Sequence, residues 1–190
     1  MCPSSGLADL ARLCKPARPY HGPMAEIDAV AVARACFLDP RNQFGCAETT
    51  FIVLKGVYGL DDPMDASAAM ALNGGIAYSG GACGAITGAA LAVGMLAERR
   101  INDHRVAKIV ARRLIAGLMD DFRVEHGAVD CRDLIGYDLR APGQHAAFIA
   151  GGIWRDRCMR QIEFAVTRMA RLVDEDAWAA AVRGRHAAGP

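Results

Sequence analysis

From Ala66 to Ala97 the chain carries no charged side chain. An uncharged run of this length belongs either in a bilayer or in a protein interior. Asn73, Gly74, Gly75, Ser79, Gly80 and Gly81 interrupt it, and the apolar remainder from Cys83 to Ala97 falls short of the ~20 residues a spanning helix needs. The run therefore predicts a buried helix over 84–98, closed by "ERR", whose arginines suit the negative end of a helix dipole. A chain of 190 residues is long enough to bury such a helix in one compact domain.

The flanking sequence is helical in pattern. Residues 25–38 are helix formers with Pro23 just ahead. Residues 47–58 follow Cys46 as a second helix, although 51–54 alone could pass for a strand. Pro63 opens a third helix over 63–72, ended by "NGG". In 102–124, Val106, Val110, Leu114, Leu118 and Phe122 recur every fourth position beside Ile109 and Ile115, which predicts one inward stripe. A second stripe runs through Trp154, Cys158, Ile162, Ala165, Val166, Met169 and Val173, in a helix over 153–175. The expected fold is an all-α, single-domain bundle of about five to seven helices. Its body is 25–175, preceded by an extension (1–24, with a weak helix at 6–14) and followed by an alanine-rich tail (176–190).

The charge balance narrows the partners. With 22 basic and 21 acidic side chains, the net charge is +1, and no global field favours nucleic acid or an anionic membrane. Seven cysteines are the compositional anomaly. Their odd number, and the lack of a basic start followed by an apolar run in "MCPSSGLADLARLCKPARP", point to thiols in a reducing cytoplasm.

Placing the thiols on the helix map is informative. Cys46 and Cys83 directly precede predicted helices, and Cys131 opens a short turn in "CRDLIG" capped by Asp130. The free N–H groups and positive dipole at a helix start favour thiolate over thiol. Metal ligation and nucleophilic attack both use the thiolate. Gly74, Gly75, Gly80 and Gly81 before Cys83, and Gly84 after it, let backbone amides approach a bound group without a Cβ in the way. Small residues at 84, 88 and 92 leave a flat helix face against which something can pack closely.

Free cysteine is equally common as a small core hydrophobe. Cys158, within the inward stripe, fits that description when taken alone, as do Cys36 in its helix and Cys2 and Cys14 in the extension. No C-x-x-C pair, C-x-x-C-H, P-loop lysine or G-x-G-x-x-G occurs. His104, His126 and His145 are candidate ligands, with His126 singled out because it lies five residues before Cys131. Glu48, two residues after Cys46, is either a base or a dipole partner.

Four spaced cysteines with "CGAITG" at the second resemble a family of redox-active proteins named for its signature Cys … Cys-Gly-Ala-x-x-Gly … Cys … Cys. "GCAE" at Cys46, Cys83-Gly84-Ala85-Ile86-Thr87-Gly88, "CRDLIG" at Cys131 and "RCMRQI" at Cys158 supply the four elements, over about residues 28–175. A similar arrangement occurs in the non-haem part of split-Soret cytochromes. That resemblance implies a [2Fe–2S] cluster on Cys46, Cys83, Cys131 and Cys158, with the glycines at 74, 75, 80, 81 and 84 around it. The chain departs from many members at Gly45 and Glu48, where Asn and Gln are expected, and at Gly81, where an acidic residue is common.

Three functions are compatible with these residues. The first is an iron–sulfur electron-transfer or redox-accessory protein with a redox partner protein. The second is a thiol–disulfide enzyme with Cys83 as a low-pKa attacker and another cysteine as resolving thiol. The third is a helical interaction module held by a structural zinc, although zinc sites usually pair their ligands in short C-x₂₋₄-C knuckles. The uncharged stretch serves a homodimer contact as well as burial within one chain.

Overall fold

The computed structural model describes residues 28–41 and 43–183. The extension with Cys2 and Cys14, the first residues of the helix expected at 25–38, and the last of the tail lie outside these. The fold is all-α. Among the described residues the only extended pairing is a single antiparallel bridge between Ala82 and Asp130.

Helix α1 (Ala29–Phe37) starts at Asp28, whose Oδ1 accepts from the N–H groups of Val30 and Ala31 at 3.1 and 2.9 Å. Helix α2 (Cys46–Val57) takes the run that alternation left ambiguous. It is buried almost all round, from Ala47 to Lys55 and at Val57. Such a helix occupies the centre of the body rather than its surface. Lys55, 3% exposed, is tolerated there because its Nζ donates to the carbonyls of Asp62 (2.7 Å) and Asp65 (3.0 Å).

The uncharged run becomes α3 (Gly84–Arg100). Its small residues let it lie directly on α2. A Cβ at Gly88 would stand 2.3 Å from the Ala47 carbonyl oxygen, and one at Gly84 would stand 2.3 Å from the Cys46 sulfur. The flat face predicted at 84 and 88 is thus filled by the backbone of another helix. The arginines that close α3 satisfy other segments. Arg99 donates to Gly59 O at 2.8 Å. Arg100 donates to Leu172 O and Val173 O (3.0 and 2.8 Å) and lies over the Trp178 ring.

Helix α4 (His104–His126) is capped by Asp103 and stopped by Gly127 at φ 81°. Val110, Leu118 and Phe122 of its predicted stripe are buried, but Val106 and Ile109 face solvent at 46% and 61% exposure. An every-fourth pattern rotates about 40° per step on a 3.6-residue helix, so its N-terminal end turns away from the core. Short helices α5 (Cys131–Ile135) and α6 (Gln144–Ala150) follow, the second with no counterpart in the sequence reading.

Two expected helices differ from their predicted form. Residues 63–72 hold only a 3₁₀ segment, Ser67–Leu72. Asp62 adopts φ 45°, and Asp65 Oδ1 accepts from Ser67 N at 2.9 Å, so the Pro63 region is a loop pinned by Lys55. The helix expected at 153–175 is broken. A π-turn (Trp154–Cys158) leads into α7 (Met159–Ala170), then a 3₁₀ turn (Arg171–Val173), and Asp174 becomes extended and accepts from Ala177 N at 2.8 Å. That aspartate starts α8 (Glu175–Arg183), which buries Trp178 where a tail was expected. No helix among the described residues is long and apolar enough to cross a membrane.

The α2–α3 contact yields a paired prediction. Gly88→Ala forces the two helices apart and costs about 1–3 kcal/mol, lowering the thermal midpoint by roughly 2–12 °C. Gly94→Ala in the same helix meets nothing within 4 Å and raises the midpoint, since alanine is favoured in a helix interior by ~1 kcal/mol. Circular dichroism melts of both variants check the contrast.

Candidate functional site

Three of the four motif cysteines lie where helices begin, and the fourth lies within a continuous helical stretch. Cys46 is the first residue of α2, Cys83 the N-cap of α3, Cys131 the first residue of α5, and Cys158 the joint between the π-turn and α7. A short backbone ladder sets the second beside the third. Cys83 N donates to Val129 O (2.8 Å), Cys131 N to Gly81 O (2.7 Å) and Arg132 N to Gly80 O (3.1 Å). Cys46, Cys131 and Cys158 line one cavity of about 500 Å³. Cys83 does not line it. It is 2% exposed, and its sulfur faces Gln161 Oε1 at 3.5 Å. Cys36 lies on α1, partly buried, and is not part of this wall.

One side of the cavity is built by a clamp around Asn73. Its Oδ1 accepts from Ala47 N at 2.9 Å, and its Nδ2 donates to Glu48 Oε2 at 2.7 Å. Glu48 Oε2 also accepts from Gly45 N at 2.9 Å, closing a capping box at the start of α2. A Cβ at Gly45 would fall 2.3 Å from Asn73 Oδ1. Gly45 and Glu48 therefore form one local device: the glycine makes room for the amide that the glutamate holds. With both of its partners positioning the helix start, Glu48 is a structural carboxylate rather than a base.

Between Asn73 and Cys83 the backbone runs left-handed. Gly74, Gly75, Ile76, Ala77 and Tyr78 have φ of 64°, 72°, 64°, 48° and 61°. Left-handed geometry costs roughly 1–2 kcal/mol at each non-glycine residue, and here three consecutive ones adopt it. Crossed hydrogen bonds hold it: Ala77 N to Ala71 O (2.7 Å), Gly80 N to Gly74 O (3.0 Å) and Gly81 N to Gly75 O (3.2 Å). Arg140 closes the turn by donating to Ala77 O from Nε (3.1 Å) and Nη2 (2.9 Å). The turn aims the Gly74 N–H at the Cys46 sulfur and puts the Tyr78 ring on the cavity wall, 5.2 Å from the His145 ring.

The electrostatics separate two effects that the helix-start argument had joined. Burial pushes the Cys46 thiol up, while N–H groups of Gly74, Ala47, Gly84 and Cys46 itself, all aimed at the sulfur, pull it down. Burial wins. The Cys83 thiol is held well above the ordinary range by burial first, then by the neighbouring Cys46, with the Ala85 N–H opposing. Cys131 is pushed up to about 12 by burial, Cys46 and Asp130. Cys158 is likewise raised by burial, Cys46 and Cys131. Burial thus acts against a low-pKa attacker at Cys83, because it outweighs the helix start there.

The remaining candidates divide. Of the expected glycines, Gly74 lines the cavity, and its N–H and that of Gly84 face Cys46. Gly75 packs against Gly81 (2.3 Å from a Cβ to Gly81 O), and Gly80 against Arg132 (2.9 Å). Gly81 lends its carbonyl to Cys131 N. His126 packs at a tilt on Phe122 and edge-to-face on Phe164, with ring centroids at 4.4 and 5.2 Å, and lines a separate polar cavity with Glu125, Asp133, Arg157 and Arg160. His104 pairs with Glu98 at 2.8 Å. His145 is the histidine at the cysteine cavity. Gln161, which the sequence reading passed over, touches Cys83. Its signal was a lone uncharged polar residue inside the apolar stripe, one turn after Cys158.

These residues suit a thiolate-bound metal group in donor type and in local shape. Thiolates are the soft donors that zinc, Cu(I) and iron–sulfur clusters select. N–H groups aimed at a sulfur serve an anion, and a side chain at Gly84 would occupy the space against Cys46. Their spread is a further constraint. No three His, Cys, Asp or Glu side chains among the described residues stand close enough to hold a single ion.

The left-handed turn can be tested by relieving it. Ile76 is half exposed and loses little burial on replacement. Asparagine tolerates left-handed backbone where a β-branched residue does not. Ile76→Asn should therefore stabilise the protein by about 1 kcal/mol, a rise of roughly 2–4 °C in a thermal melt.

No curated protein and no solved structure matches the chain. A family model described as "Putative redox-active protein (C_GCAxxG_C_C)" matches residues 44–172. The motif as named writes its second element Gly-Cys-Ala-x-x-Gly, whereas Cys83 precedes Gly84 here. The match spans all four cysteines and every helix from α2 to α7, and on this ground the chain belongs to the C_GCAxxG_C_C family of redox-active proteins.

Proposed function

We propose that this chain is a redox protein that holds a [2Fe–2S] cluster through Cys46, Cys83, Cys131 and Cys158, for electron transfer or as a redox accessory. The observation that carries the reading is that Cys46, Cys131 and Cys158, brought from three separate segments, line one cavity in which burial opposes free thiolates. A bound cation resolves that opposition, because ligation supplies the charge that burial withholds. Bound there, such a cluster supplies one-electron transfer.

The chain's own residues have defined parts. The N–H groups of Gly74 and Gly84 lie beside the Cys46 sulfur, and Asn73 Oδ1 holds the Ala47 N–H at 2.9 Å and faces the same sulfur at 3.8 Å. Phe37 and Trp154, packed edge-to-face at 5.5 Å, and Phe148 keep water from the sulfurs. Tyr78, His145 and Ile149 form the exposed rim, where a donor or acceptor protein would come closest. A reducing compartment such as the cytoplasm keeps all these thiols available. A zinc module is less well supported, since three donors for one ion are not assembled. A thiol enzyme built on Cys83 is opposed by its burial.

Anaerobic purification followed by an absorption spectrum and iron and sulfide assays tests the reading. The expected result is a coloured protein with about two irons and two sulfides per chain. Serine at any one of Cys46, Cys83, Cys131 or Cys158 removes most of the iron, while Cys36→Ser leaves it. A colourless protein containing zinc, or no metal at all, overturns the proposal.

A further inference from the structure

Gln161 is 5% exposed, sits on the inward face of α7, and has the Cys83 sulfur as its hydrogen-bond partner at 3.5 Å. Here the thiol donates and the carboxamide oxygen accepts. Burying a glutamine needs a reason, because an amide without partners costs free energy that an apolar residue of the same size would not. A thiol alone is a poor reason, being a weak donor.

The other side of Gln161 explains the choice. It lines the second, mainly polar cavity, about 400 Å³, together with Glu125, Asp133, Arg157 and Arg160. That cavity offers donors (the two guanidinium groups) and acceptors (the two carboxylates). A carboxamide there can present either its oxygen or its nitrogen outward and be satisfied both ways. The inward end then matches whichever form the sulfur takes.

We infer that Gln161 is a positioning residue for the Cys83 sulfur, accepting from it as a thiol and, after a half-turn of its carboxamide, donating an N–H to it as a thiolate. This rests on the reading of Cys83 as a cluster ligand. Ligation releases the thiol proton to solvent, and the half-turn puts Nε2 where Oε1 now stands. A hydrogen bond to a ligating sulfur raises the reduction potential of an iron–sulfur centre, because it stabilises the more negative, reduced state. At Cys46 the nearby donors are backbone N–H groups, which a change of side chain leaves in place. Gln161 is thus the point at which a side chain sets the potential on the Cys83 side.

The test compares wild type with Gln161→Met, which keeps the length and apolar volume but has no donor. Iron and sulfide per chain, midpoint potential by anaerobic titration, and thermal midpoint are measured on both. Gln161→Met is expected to load iron as wild type does and to shift the potential negative. A loaded Gln161→Met protein with unchanged potential overturns the Gln161 role and leaves the cluster reading standing. Wild type that takes up no iron overturns both. A second readout needs no change at Gln161: with glutamine side chains isotopically labelled in nitrogen, pulsed EPR of reduced wild type should show a coupled side-chain nitrogen. Its absence overturns the role even if Gln161→Met fails to load.

Discussion

The approach of α2 to α3 governs the rest of the structure. Helix axes normally stand apart by the width of their side chains. Here Gly84 and Gly88 remove that spacer, and the start of α3 rests on Cys46 and Ala47. Two of the four sulfurs are thereby brought together by a contact that involves no chemistry of their own. The remaining two are added by the ladder that ties Gly80 and Gly81 to Cys131 and Arg132, and by α7 lying against the same core. A bulkier residue at either glycine would disturb the core and the sulfur arrangement together.

Burial and ionisation are opposed in this core. Every motif thiol is pushed towards its neutral form by burial, and a charge on Cys46 disfavours ionisation of the other three. A protein that needed a free thiolate would place it nearer water. In the proposed reading, the compensating charge at Cys46 comes from a metal bound to the sulfur. The clamp of Gly45, Glu48 and Asn73 serves the same end, since it fixes the α2 start, where that sulfur lies.

Much of this was legible in the amino-acid order, for identifiable reasons. Helical periodicity marked α4 and α7, the uncharged run marked α3, and the glycines and caps marked helix beginnings, so the location of Cys46, Cys83 and Cys131 at helix starts followed directly. The glycines were legible as close-contact positions, but not for what makes the contact. Gly84 and Gly88 meet the backbone of α2, a relation between distant segments that no local pattern contains. The left-handed turn was hidden because Ile76, Ala77 and Tyr78 carry no preference for it; Arg140 and the flanking glycines impose it. The break after Ala170 rests on Asp174, whose capping role depends on Arg100 seizing the carbonyls of Leu172 and Val173. His126 drew attention by its proximity to Cys131 along the chain, yet packing with Phe122 and Phe164 holds it elsewhere.

The four sulfurs enter from segments that span almost the whole family match, with Cys46 near its beginning and Cys158 near its end. During synthesis, the last of them leaves the ribosome only after α2 to α5 have already emerged. The early helices can therefore begin to settle on one another before α7 arrives. Assembly of the complete sulfur set is in this way a late event of translation, and a truncated chain ending before α7 would present an open, unfinished core to its surroundings.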